Sequence, residues 1–344
     1  MVRRLVAVIL GLTVLALLAV NFTYQPKASS GTPGPIPTVD PFSIAVIGDV
    51  PYSEAQLTSF RGLADRINQD RDVKLVAHLG DIKNSESPCS DAYYTRIARE
   101  FNRLTVPLVY TPGDNEWADC HKPANGSFNP FERLAKLREV FFDVPNTTLI
   151  AQTTDYATWA EDGYTENIRF RRGGATFGAM NVVGANNGLQ TWTGQKSPGP
   201  EQVANVKSRT DAAIGVIDDV FATAEDRGDR AVVFFMQADM FNPNPALQNK
   251  SQLSAFEPIV KALAKQSAEF PGTVYLFDGD THRYLADTPL QKDSRWLKFY
   301  GVKATANFKR VTVDGDTAAT GYLRVRVDGD SADPVTWQRV PAPK

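Results

Sequence analysis

Phe42–Asp49, FSIAVIGD, is followed by Val73–Asp81, VKLVAHLGD, and by Val106–Asp114, VPLVYTPGD. Each stretch is a short apolar run that stops on glycine and aspartate, the pattern of a buried strand closed by a turn. Between the first two, residues 57–69 place Leu57, Phe60, Leu63, Ala64 and Ile67 at helical spacing. Residues 91–104 predict a second helix, with Asp91 as its cap, and residues 131–142 a third. Strand alternating with helix predicts parallel strands joined by crossovers, and so an α/β fold.

Beyond Asn146 the pattern changes. Residues 168–170 and 176–183 predict strands of a hairpin around Gly173 and Gly174. Residues 201–227 predict a long helix. Two more buried strands, 230–235 and 273–277, flank a helix over 253–270. The tail alternates over 309–313, 322–327 and 335–340, broken by Asp314-Gly315-Asp316 and Asp328-Gly329-Asp330, and predicts antiparallel strands with tight turns. No internal repeat is visible, and residues 42–340 read as one domain.

The N-terminal part has a different character. Arg3 and Arg4 precede an apolar run from Leu5 to Val20, and a Pro/Gly/Ser-rich linker follows. Residues 1–22 therefore predict a signal peptide or a membrane anchor, with 23–41 as linker. The run lies at the lower edge of the roughly 17–25 apolar residues a spanning helix needs, so removal and retention both stay open. Either way the rest of the chain is expected to be exported, secreted, periplasmic or at the cell surface. Cys89 and Cys120 are the only cysteines. Both follow strand ends expected to be neighbours, and an oxidising compartment predicts one disulfide between them. The formal net charge of −2 is built from interspersed signs, which gives no basic footprint for nucleic acid.

Five predicted strands run out into an acidic residue: Asp49, Asp81, Asp114, Asp239 and Asp280. Asp and Glu together are only 39 of 344 residues, so this recurrence selects the strand ends as a site. In open α/β sheets that edge is where ligands bind. Carboxylates gathered there repel one another and rise in pKa unless a cation sits among them. Oxygen ligands favour Mg²⁺, Mn²⁺ or Ca²⁺, and a histidine admits Zn²⁺ or Fe.

In order, Gly48-Asp49, Gly80-Asp81, Gly113-Asp114-Asn115-Glu116, Gln237-Ala238-Asp239 and Gly279-Asp280-Thr281-His282 resemble the motif blocks of the calcineurin-like metallophosphoesterases. The resemblance implies an α/β sandwich with mixed sheets flanked by helices, two divalent metal ions and hydrolysis of a small phosphate ester. Carried over by position, it puts Asp49, Asp81 and His282 on one metal, with Asp81 bridging to a second held by Asp114 and Asp280. Asp239 joins this metal set as the acidic residue of the fourth block. The first-block histidine falls on Pro51, with Tyr52 beside it as a possible ligand. The catalytic histidine falls on Asn115, the lone histidine near Gln237 and Asp239, and the first histidine of the last block on Asp280.

Three further residues enter the expected catalytic set: Asn115 by position, Lys83 as positive charge toward a phosphate, and His121 as acid for the leaving group. The plainer alternative for Lys83 is an ion pair with the acidic cluster, and for His121 a loop residue bonded to backbone. Glu116 is expected to orient its neighbours. Other readings also stay open. One is an inactive or weakly active binding protein on this fold. Another is a hydrolase that pairs carboxylates without metal.

Overall fold

The computed structural model describes residues 40–144, 146–316 and 321–342. The expected signal or anchor over 1–22, and all but the end of the linker, lie outside the described residues. Among those described, no helix is long and apolar enough to cross a membrane.

Among the described residues, twelve strands build two sheets. They are β1 Phe42–Ile47, β2 Val73–His78, β3 Leu108–Tyr110, β4 Thr154–Trp159, β5 Tyr164–Arg172, β6 Ala175–Ala179, β7 Ala231–Phe235, β8 Thr273–Asp278, β9 Leu285–Asp287, β10 Phe308–Thr312, β11 Tyr322–Val327 and β12 Val335–Val340. The first sheet has the order β12-β11-β1-β2-β3 and the second β4-β5-β6-β7-β8-β10-β9. Strands β1, β2 and β3 run parallel, as the crossovers require. In the second sheet β6, β7, β8 and β10 are parallel.

Alternation along the strands sorts side chains into three cores. Ile44, Val46, Leu75 and Val109 meet Phe177, Phe235, Phe277 and Val311 between the sheets. The outer face of the first sheet packs Ala45, Ile47 and Val76 on the helices Glu54–Gln69, Asp91–Phe101 and Pro130–Phe141. The outer face of the second packs Val232, Phe234 and Leu276 on Pro200–Arg227 and Glu257–Glu269. The result is a four-layer sandwich in which both sheets deliver parallel strand ends to one edge.

Several expectations shift. Ser90, not Asp91, caps the second helix by accepting the Tyr93 N–H. The tail is not one antiparallel set. Strand β10 joins the second sheet, parallel to β8, while β11 and β12 complete the first. Only Asp328-Gly329-Asp330 turns a hairpin, between β11 and β12. Asp314-Gly315-Asp316 instead leads from one sheet to the other and passes behind Asp49: the Asp316 N–H donates to the Asp49 carbonyl at 2.9 Å.

Candidate metal centre

The strand ends of both sheets converge on two groups of ligand atoms that share Asp81. One joins Asp49, Asp81 and His282, the other Asp81, Asp114 and Asp280, with the ligand atoms of each group within 4.8 Å of one another. Asp49 and Asp81 follow β1 and β2, Asp114 follows β3, and Asp280 and His282 follow β8. Four of these five residues, Asp49, Asp81, Asp280 and His282, have positive φ between 54° and 69°. A left-handed backbone at a non-glycine residue costs of order 1–3 kcal/mol, and such residues gather at functional sites.

Close approach explains the glycines beside them. A Cβ on Gly113 would lie 2.1 Å from Asp81 Oδ1, and one on Gly279 2.6 Å from Asp49 Oδ2. No larger residue leaves the carboxylates where they are. Glu116, fully buried, fastens the two loops. Its carboxylate accepts the N–H groups of Gly113 at 2.5 Å, Asp81 at 3.1 Å and Ile82 at 3.3 Å, and the Tyr110 hydroxyl at 2.8 Å.

Tyr52 enters from the loop after β1. Its Oη lies 2.9 Å from His282 Nε2, 3.2 Å from Asp81 Oδ2 and 3.4 Å from Asp49 Oδ1. Asn115 sits beside it, with its Nδ2 3.4 Å from Tyr52 Oη and its backbone N–H 3.2 Å from Asp81 Oδ1. Opposite Tyr52 is Gln237, whose Nε2 lies 3.0 Å from Asp114 Oδ1 and 3.2 Å from both Asp81 Oδ2 and Asp280 Oδ1.

Among the described residues, no lysine or arginine pairs with Asp49, Asp81, Asp114 or Asp280. Burial, then the charges of Asp114, Glu116 and Asp49, hold the Asp81 carboxyl well above its usual range. Burial, Asp119 and Asp280 do the same to Asp114, and burial, Asp49 and Asp239 push Asp280 up to about 7. The Tyr52 phenol is raised by burial and by Asp81 and Asp49. Burial works to lower the His282 imidazole, but the hydrogen bond and charge of Asp49 outweigh it and raise it. Burial leads the carboxyl and phenol shifts, and neighbouring carboxylates without a cationic partner add to them. The residues fit a divalent cation, because Asp49 Oδ2 is buried and meets no hydrogen-bond partner among the described residues.

The structure moves Asp239 out of the expected metal set. The chain turns after Gln237, Asp239 Oδ1 accepts the Phe241 N–H at 2.9 Å, and the carboxylate pairs with buried Arg310. Gln237, left as one of two possibilities at that block, is the residue that faces the cluster. Lys83 neither points to a substrate nor pairs with the acids. Its buried Nζ donates to the carbonyls of Asn84 and Asn115, both at 2.8 Å, and to Asn125 Oδ1 at 2.6 Å, and burial lowers it to about 8. His121 is bonded instead to Thr193, whose backbone N–H reaches its Nδ1 at 2.9 Å. Cys89 and Cys120 are joined in a disulfide.

Residues 42–203 match the family model of the calcineurin-like phosphoesterases. Over that segment the chain is similar to the calcineurin-like phosphoesterases. That family as a whole hydrolyses phosphoesters with metal ions. Gln237, Asp280 and His282 lie beyond the matched segment. Among solved structures, the chain is similar to a purple acid phosphatase from yellow lupin (Lupinus luteus) seeds, with 12% identity and a TM-score of 0.48, over 89% of this chain and 54% of that one. It thus spans about half the length of the lupin protein. It is also similar to GAP50, the anchor in the inner membrane complex of Plasmodium, with 8% identity and a TM-score of 0.39, over 88% and 90% of the two chains. No curated protein matches.

Proposed function

We propose that this chain is a divalent-metal-dependent phosphoesterase, acting on a small phosphate ester from the strand-end crevice. One observation carries the reading: among the described residues, buried Asp49 keeps an unpartnered oxygen inside a group of ligands that no lysine or arginine pairs. Asp49, Asp81 and His282, with the Tyr52 hydroxyl, would hold the ion. A bound divalent cation supplies Lewis acidity and lowers the pKa of its water toward neutrality.

The chain's own residues set the rest. Glu116 fixes the backbone that carries Asp81 and Asp114. Asn115 presents amide hydrogens beside Tyr52, which can orient a phosphoryl oxygen but cannot deliver a proton to a leaving group. Lys83 and His121, the two side chains expected to supply a proton or positive charge there, are bonded elsewhere. The expected preference is therefore for esters whose leaving groups depart without protonation, such as aryl phosphates, over alkyl esters.

The test is metal analysis and calorimetry with Mn²⁺, joined to hydrolysis of nitrophenyl phosphate and bis-nitrophenyl phosphate. The expected result is metal-dependent hydrolysis that a chelator removes and Asp81→Ala abolishes together with metal binding. Hydrolysis that survives chelation would favour a metal-free carboxylate pair, and absence of both metal and hydrolysis would sink the reading. The missing acid at Asn115 is the observation that favours the second reading, a metal-holding binder without turnover. Metal bound with no hydrolysis of either ester would select it. We also propose export of the chain. The Cys89–Cys120 disulfide supports it, because such bonds persist in oxidising compartments.

A further inference from the structure

The two ligand groups differ in the one neutral side chain that each contains. On the Asp49 side that residue is Tyr52. A phenol oxygen has lone pairs, and here it faces His282, Asp81 and Asp49 within 3.4 Å. On the Asp114 side it is Gln237, which is fully buried. An amide nitrogen has its lone pair delocalised into the carbonyl, so it donates hydrogen bonds and does not ligate a cation.

Which end of the Gln237 amide faces inward is fixed by its other contact. Its Oε1 accepts the Gly184 N–H at 2.6 Å. Turning the amide over would set two N–H donors against each other in a buried place, a loss of order 1–3 kcal/mol for the stranded groups. Nε2 therefore stays among Asp81, Asp114 and Asp280, all within 3.2 Å. Its hydrogens bring partial positive charge to the place between those three carboxylates. A cation there would meet N–H hydrogens head-on. Asp49 Oδ2, by contrast, has no partner among the described residues.

We propose that the chain holds a single divalent cation, in the group of Asp49, Asp81 and His282 with Tyr52, and that the Gln237 amide takes the place of a second ion. The proposal rests on the metal-dependent reading above and narrows it: the Asp114 and Asp280 carboxylates serve as acceptors for an amide, not as ligands. Asp81, shared by both groups, then links one ion to one amide.

The experiment is Mn²⁺ titration of the chelator-stripped full chain by calorimetry, with elemental analysis and electron paramagnetic resonance of the loaded protein. Expected are one Mn²⁺ per chain and the hyperfine pattern of an isolated ion. Asp49→Asn should abolish binding, and Asp280→Asn should retain one ion. Gln237→His, which offers a ring nitrogen, should take two ions and give an exchange-coupled spectrum. Two ions in the wild-type chain would overturn the proposal while leaving metal dependence standing. A single ion lost in Asp280→Asn but kept in Asp49→Asn would also overturn it, by placing the ion in the other group. No bound ion in the wild-type chain would remove the metal-dependent reading itself. Should Gln237→His fail to fold, the wild-type stoichiometry and spectrum decide alone.

Discussion

Asp81 and Asp239 occupy equivalent places at the ends of parallel strands, one in each sheet, and both are buried. Their surroundings are opposite. Asp239 meets Arg310, which also bonds Asp287 at 2.9 Å and lies 4.0 Å from Asp278. Asp81 meets Asp49, Asp114, Asp280 and Glu116 instead, with neutral Tyr52 and Gln237 between them. The position of a carboxylate in the fold makes it a possible ligand. Whether the protein itself supplies the matching positive charge decides if it is one.

The comparison breaks most sharply at Arg310. Arg310→Met would leave Asp239, Asp278 and Asp287 without their cation, and unpairing buried charge costs about 3–5 kcal/mol. Urea denaturation should show that loss. In the chelated protein Asp49→Asn should do the reverse, leaving stability unchanged or slightly raised, because it removes a negative charge that no lysine or arginine pairs among the described residues, and its amide nitrogen can take the place of Oδ2, which meets no donor there. A loss comparable to that of Arg310→Met would show that Asp49 already has its counter-charge.

Next in size is Glu116→Gln. It sets an amide NH₂ against the N–H groups of Gly113, Asp81 and Ile82 that the carboxylate now accepts. Metal affinity should fall roughly 10–100-fold, as for other groups that orient ligands, and calorimetry reads this directly.

A third buried ionisable group tests the same logic without any acid nearby. His78 donates from Nε2 to the Val50 carbonyl at 2.8 Å, and its Nδ1 has no partner among the described residues. Burial lowers it from 6.5 to about 4. The unfolded chain takes up this proton first, so its contribution to stability is complete above about pH 6.5 and is lost as pH falls toward about 4. His78→Phe should flatten the slope of stability against pH in that window relative to wild type. An unchanged slope would mean that His78 is already protonated in the fold.

The smallest effect is expected at His121. Its Nδ1 is held by Thr193, so His121→Ala should fall well short of the loss of about 10²-fold or more that removing a general acid causes. A loss of that size would return His121 to the reaction.

The three leading strands, their crossovers and the Gly-Asp turns were legible because each signal is local. Apolar runs of strand length ending in glycine are visible without knowledge of the partner. Asp49, Asp81, Asp114 and Asp280 stood out as strand ends for the same reason, whereas His282 and the grouping around Asp81 came from the resemblance of the motif blocks to a known family. The fate of Asp239 was not legible, since Arg310 is distant in sequence and belongs to a strand whose sheet the alternation pattern does not reveal. Gln237 and Asp239 would share a face in an extended strand, but the turn at Asp239 separates them. Asp314-Gly315-Asp316 has the composition of any tight turn, and only its path shows that it backs Asp49. The edge strands β4 and β9 carry mixed residues, half-buried or exposed with none fully buried, and gave no clear period.

The Cys89–Cys120 bond joins the segment after β2 to the segment after β3 across 31 residues. Closing a loop of that size is worth between about 3 and 5 kcal/mol, a large part of a marginal folding free energy. It also ties down the stretch from which Lys83 clasps the Asn115 carbonyl. Maturation of the crevice is thereby coupled to electron acceptors in the surroundings. A chain made where thiols stay reduced would carry every ligand yet lack the clasp that keeps them in register.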